Sequence, residues 1–169
     1  MAAIGYGKRR GGLKIKLSGM LADKRELKRR GHNVEDLLDK EVFLTANYAA
    51  KVSRDSIKRG IKTGTTYEKY KPRRTHRASA KGEPPATDTG RLASSITQER
   101  TGHAEAEVGS TVKYSKFLEF GTRDIKEERP WLRPALKKAG KRFEQRMFDK
   151  LGGRRTRLNK FMRKGARGD

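Results

Sequence analysis

Apolar residues recur at Val34, Leu37, Leu38, Val42, Ala46, Ala49 and Val52, the three-and-four spacing that lines one face of a helix. Thr45 is the one polar residue on that stripe. Asn33 suits an N-cap, and Asp36 falls in the first turn, where a carboxylate complements the helix dipole. Ile57 extends the stripe and Gly60 stops it, so the pattern predicts a core helix over about 33–59. A second stripe runs through Leu132, Ala135, Leu136, Ala139, Phe143, Met147 and Leu151, up to Gly152-Gly153. Pro130 and Pro134 bracket its start, where a missing amide has no partner to lose.

Strand signals are shorter. Leu13-Lys14-Ile15-Lys16-Leu17 alternates apolar and basic residues, and Met20, Leu21 and Leu27 suggest a short helix ending near Gly31. Ala104, Ala106 and Val108 alternate with Glu105 and Glu107, which predicts a hairpin of strands 96–100 and 103–110 turning at Thr101-Gly102. Thr89 is expected to cap a short helix carrying Leu92 and Ile96. Tyr114, Phe117 and Leu118 fit another short helix, packed on the sheet and ended by Gly121, with a polar loop over Thr122–Glu128 beyond it. Residues 61–88 show no period and hold Pro72, Pro84 and Pro85. They read as a long loop with one edge strand near Thr65–Tyr67.

These elements predict an α+β fold: a small antiparallel or mixed sheet packed against a long central helix, a second C-terminal helix, and extended basic arms. The expected organisation is an arm over 1–12, a domain over 13–151 and a tail over 152–169. With 33% of residues hydrophobic and 37% charged, there is apolar material for an ordered core of roughly 100 residues.

Charge narrows the partners. The formal net charge is +23, gathered in three blocks: ten Lys and Arg in 1–32, ten in 58–91 and seven in 152–169. Nucleic acid, whose condensed counterions Lys and Arg displace, is one candidate; acidic protein surfaces are the other. A solvated basic arm is the plain alternative for any one block. Tyr67 and Tyr70 lie among Lys69, Lys71, Arg73, Arg74 and Arg77, with Lys81 beyond, and these cations are the candidates for facing DNA.

Catalytic patterns are missing. With no cysteine, thiolate catalysis and Cys-based zinc sites are excluded, and His32, His76 and His103 are too scattered for a metal pair. Asp88-Thr89-Gly90 copies the triplet of aspartic proteases, but it follows Pro84-Pro85-Ala86 and not an apolar strand, so capping is the simpler role. Gly5-Tyr6-Gly7-Lys8-Arg9-Arg10-Gly11 misses the spacing of a phosphate-cradling loop. No enzyme, cofactor or metal is expected. Neither a signal-peptide run nor a membrane-length apolar stretch occurs, which points to use in a cytoplasm or in something assembled there.

Three blocks remain: Ser79-Ala80-Lys81-Gly82-Glu83-Pro84-Pro85-Ala86-Thr87-Asp88-Thr89-Gly90-Arg91-Leu92, then Val112-Lys113-Tyr114-Ser115-Lys116-Phe117-Leu118-Glu119-Phe120-Gly121-Thr122, then Arg129-Pro130-Trp131-Leu132-Arg133-Pro134-Ala135-Leu136. In this order they resemble the tail-completion, or head–tail joining, proteins of long-tailed bacteriophages, over roughly residues 13–140. Lys81 stands where such proteins often carry proline, and Trp131 where they often carry phenylalanine.

The resemblance implies a small α+β subunit of a virion neck ring, structural and not enzymatic. It implies a hexamer, with a dodecamer as the alternative, placed among head connector or stopper proteins and tail terminator or tube proteins, with double-stranded DNA in the lumen. It implies ring or partner contacts at Glu83, Pro84, Pro85, Asp88, Thr89, Gly90, Arg91, Phe120, Gly121 and Trp131. From the residues alone Trp131 reads first as a core or helix-start anchor, with an intersubunit anchor as the alternative. The stiff Glu-Pro-Pro segment is suited to reaching a neighbour. The competing reading is a basic nucleic-acid-binding protein of the ribosomal or chromatin-like kind; a nuclease lacks any carboxylate or histidine cluster to hold a metal.

Overall fold

The computed structural model describes residues 3–6, 13–16, 34–70, 73–121 and 127–150. The strands are β1 (Ala3–Tyr6), β2 (Leu13–Lys16), β3 (Thr66–Tyr70), β4 (Arg73–Arg77), β5 (Ile96–Gly102) and β6 (Glu105–Ser110). The helices are α1 (Val34–Arg59), α2 (Arg91–Ser94), α3 (Ser115–Phe120) and α4 (Arg133–Lys150). β1, β2, β6 and β5 form one sheet in that order, every neighbour antiparallel, while β3 and β4 form a separate hairpin. The fold is α+β, with a long helix against an antiparallel sheet and a second helix at the C-terminal end. β1 lies within the segment expected to be an arm, and the rest of that arm, the Asn33 cap, the 20–31 helix, Leu151 and the tail fall outside the described residues.

Helix α1 is the common neighbour of the core: it packs on β5, β6, α2 and α4. Val42, Ala46, Ala49, Ala50 and Ile57 are fully buried on it, facing Ile96, Ala106 and Val108 of the sheet and Leu136, Ala139, Phe143 and Met147 of α4 in one apolar cluster. Alanines at 46, 49 and 50 let the sheet and α4 approach the α1 backbone closely. Leu37 and Leu38 are only half-buried at the edge of this cluster. Thr45 fits the buried face because its hydroxyl donates to the Glu41 carbonyl at 2.7 Å, one turn back.

Glu41 is also fully buried. Its carboxylate accepts Arg146 Nε at 2.6 Å and Nη2 at 3.0 Å, and meets Lys150 Nζ at 2.6 Å, so a charge cluster stitches α1 to the last turns of α4. The Arg146 guanidinium, aided by Lys150, outweighs burial and holds the Glu41 carboxyl down at about 2. At the sheet, Arg54 of α1 donates to the Ile96 carbonyl at 2.6 Å and to Gln98 at 3.2 Å.

Three sequence expectations need correction. Residues 61–88 are not one loop: β3 and β4 pair in full register from Thr66↔Arg77 to Tyr70↔Arg73. Nearly every side chain of this hairpin is exposed, so it leaves no alternation of apolar residues to read. The β5–β6 turn falls at His103-Ala104 and not at 101–102. Ala104 takes a left-handed φ of 52°, and its amide is held by the Asp39 carboxylate at 3.0 Å, which also binds Arg100 at 2.6 Å. Finally, of Tyr114, Phe117 and Leu118 only Leu118 packs against the core: Tyr114 and Phe117 are 41% and 42% exposed, Phe120 beside them is 52% exposed, and the residues α3 buries are Ser115 and Glu119.

Candidate interaction surface

The three sequence blocks converge, and backbone conformation accounts for all three of their glycines, Gly82 among them at φ 79°. Gly90 begins α2 at φ 76° and Gly121 closes α3 at φ 69°, values that other residues adopt only under strain. The expected capping by Thr89 is weak: its hydroxyl lies 3.4 Å from the Arg91 amide, and α2 has no side-chain cap. Asp88 is engaged elsewhere. Its carboxylate binds Lys69 Nζ and, at 2.5 Å, Arg74 Nη2; these cations, Lys69 first, lower its pKa. Full charges outcompete the amides of a four-residue helix for a carboxylate.

Lys69 and Arg74 face each other across the β3–β4 hairpin. Beside them on the same face, Tyr67 and His76 pair edge-to-face with ring centroids 5.3 Å apart. Two of the cations proposed for DNA thus dock the hairpin onto the Asp88 loop. On the opposite face Arg73, Arg77 and Tyr70 are exposed, with Arg73 3.7 Å from Glu68, and Lys81 is exposed in the following turn. Lys71 lies outside the described residues.

The Glu-Pro-Pro segment is clasped to its own subunit. Glu83 accepts the Thr63 hydroxyl at 2.5 Å, the Thr63 amide at 2.9 Å and the Ala80 amide at 2.9 Å, and these bonds, led by the hydroxyl, hold its carboxyl at about 2. Lys62 donates to the Pro84 carbonyl at 2.7 Å, Thr87 to the Ile57 carbonyl at 2.9 Å, and Pro85 is buried. Burial pulls the Lys62 pKa down, against the raising influence of Glu83. The segment therefore covers the end of α1, leaving Lys81 and Gly82 at its exposed corner.

A second clasp joins the other two blocks. Glu119, 2% exposed, accepts the amides of Trp131 at 2.7 Å, Leu132 at 2.9 Å and Arg133 at 2.8 Å. The carboxylate thereby caps the start of α4, where the helix dipole favours a negative charge. Arg133 adds its Nε to Glu119 at 3.1 Å and bridges from the Glu119 carbonyl to Glu128; the carboxylates of Glu128 first and Glu119 second raise its pKa against the pull of burial. Trp131 is 3% exposed, with its indole donating to the Ser115 carbonyl at 3.2 Å, so it is a core anchor of this subunit. The 127–130 link then closes the circuit: Gly82 donates to the Glu128 carbonyl at 2.9 Å and Arg129 to that of Leu118 at 2.8 Å.

One family model matches residues 24–121, more than half of the chain; it is the HK97-gp10-like family, described as "Bacteriophage HK97-gp10, putative tail-component". This chain belongs to that family. The match contains the first block and the second as far as Gly121; the block that begins at Arg129 lies beyond the matched residues and is tied to them through the Glu119 clasp. No curated protein and no solved structure matches the chain. The HK97-gp10-like assignment makes this a phage tail component. Among the described residues no group of three His, Asp or Glu side chains could hold a metal ion, and no helix is long and apolar enough to cross a membrane.

Glu41 and Glu119 are the two residues that sequence reasoning passed over. Each carried one signal: a carboxylate in a helix whose other buried positions are small or apolar. Of the residues expected at a ring contact, Asp88, Thr89, Arg91 and Phe120 are exposed, whereas Pro85 and Trp131 are buried within the subunit.

Proposed function

We propose that this chain is a non-enzymatic subunit of the phage neck, forming a ring that completes the tail and joins it to the DNA-filled head. The observation that carries the reading is the union of the three blocks in one hydrogen-bonded frame, built around Glu83 and Glu119, in a member of a tail-component family. Such a frame fixes the exposed residues between its clasps, as a closing heterologous contact requires. A hexamer is the expected ring, with a dodecamer the alternative. Its neighbours would be head connector or stopper proteins on one side and tail terminator or tube proteins on the other.

The +23 charge supports a division of labour. The exposed face of the β3–β4 hairpin, with Arg73 and Arg77, would steady the DNA end, while the terminal basic blocks would hold acidic surfaces of adjacent rings. A lumen crowded with cations would grip DNA too hard, because each neutralised phosphate adds to the binding. The same charge is what favours the alternative of a basic nucleic-acid-binding protein, and one genetic experiment separates the two. Deleting the gene from the phage should leave filled heads and complete-length tails unjoined. Joined, infectious particles without the protein would rule the neck role out.

A further inference from the structure

Three exposed aromatic residues follow one another at three-residue spacing: Tyr114, Phe117 and Phe120. On α3 this spacing places Phe117 and Phe120 on the side away from buried Ser115 and Glu119, with Tyr114 at its edge. Tyr114 also lines an open groove of about 610 Å³, whose walls include Arg91, Ser94, Thr111 and Lys113. Arg91 and Lys113 are exposed there. Lys116 stands 5.0 Å from the Phe117 ring centroid and Arg133 5.4 Å from that of Phe120. The surface is thus a groove with two cations at its wall that opens onto an aromatic shelf edged by further positive charge.

We infer that this groove and shelf receive an acidic, apolar-anchored segment of a different virion protein, with carboxylates at Arg91 and Lys113 and apolar side chains over Phe117 and Phe120. The inference rests on the reading of this chain as a virion assembly subunit. Charge selects the occupant. This chain's own segments 17–33 and 151–169 carry five cations against two acids and seven against one, so both would place like charges together. Double-stranded DNA would satisfy the cations but keeps its bases stacked inside, leaving the aromatic shelf in water. An acidic segment with apolar side chains uses both halves. Exposed aromatics that become desolvated at the centre of an interface are the usual dominant anchors.

The test uses the full-length chain in assembled phage particles, with Tyr114→p-benzoylphenylalanine as a photo-crosslinking probe and an immunoblot to score incorporation. Thermal melting of each purified variant checks that it folds. The expected adduct is with a segment of another virion protein that carries several Asp or Glu beside apolar residues. Adding Phe117→Ser and Phe120→Ser should lower adduct yield at least about tenfold at unchanged melting temperature, the loss of two anchoring rings. Arg91→Ala with Lys113→Ala should lower it several-fold, more at low salt than at high salt. An adduct with a second copy, an adduct with DNA, or no adduct in particles that contain the chain overturns the inference and leaves the neck reading standing. Absence of the chain from particles takes down both.

Discussion

The Glu119 carboxylate lies 2.7 Å from the backbone nitrogen of Trp131, twelve residues downstream, and from another helix satisfies the amides of Trp131 and Leu132 that lead into α4 and that of Arg133, its first residue. Helix starts are ordinarily capped by a Ser, Thr, Asp or Asn just before them; here the preceding residues are Trp131 and Leu132, which are core anchors and cannot cap. Glu119→Ala should therefore leave three amides and the Arg133 side chain without their buried acceptor and cost about 2–4 kcal/mol. Glu119→Gln, which keeps the shape and loses the charge, should cost less. Urea denaturation measures both, and an Ala cost under about 0.5 kcal/mol would show that the clasp contributes nothing.

Acid should weaken the fold through Glu41 and Glu83. Both have folded pKa values of about 2 against 4.5 when unconstrained. A depressed folded pKa gives stability that is fully present above 4.5 and is lost as pH falls towards 2, because the unfolded chain then binds protons the folded chain resists. Melting temperature should drop across that window. Glu41→Gln should be less stable than wild type at neutral pH, by about 3 kcal/mol if Arg146 and Lys150 lose their acceptor, and should show a shallower acid slope. An equal slope in the variant would remove Glu41 from the account.

Core substitutions should rank by burial. Ile57→Ala and Met147→Ala, at 1% and 0% exposure, should cost about 2–5 kcal/mol each. Leu38→Ala and Leu118→Ala, half-buried at the edge of the cluster, should cost about 1–2 kcal/mol. Phe117→Ala should stay within about 0.5 kcal/mol, since its ring faces solvent. Chemical denaturation of the five variants gives the order directly.

The parts of this fold that were legible were those written as apolar period. The α1 stripe, the Ala106–Val108 alternation and the α4 stripe each bury one face, so their spacing announces them. The β3–β4 hairpin was not legible because its strands expose nearly all their side chains, and what seats it is Asp88, fourteen residues beyond Arg74. Glu41 escaped for the same reason: the arginine that makes its burial tolerable is 105 residues away. The three blocks were visible as strings, but that Glu83 and Glu119 spend their carboxylates inside the subunit is a fact of tertiary placement. The tolerance of Ala104 for a left-handed turn likewise depends on Asp39, 65 residues earlier.

Hairpin cations should separate by face. Arg73→Ala with Arg77→Ala should lower affinity for double-stranded DNA and reduce the log–log salt slope by up to about 2, one for each phosphate no longer neutralised. Lys69→Ala or Arg74→Ala should act mainly on the hairpin's seating against Asp88, seen as increased proteolysis within 61–88. Removing residues 154–169 should impair head–tail joining and leave the DNA affinity of the isolated protein little changed. Loss of DNA binding on that truncation would make the tail the nucleic-acid element.

The central claim is a place in the particle, and three-dimensional electron microscopy of purified virions tests it most directly. The account predicts a closed ring of this chain, six copies or twelve, between the head connector and the tail tube, with α3 turned toward a neighbouring protein. A neck reconstructed without the chain, or the chain found elsewhere in the virion, would contradict it.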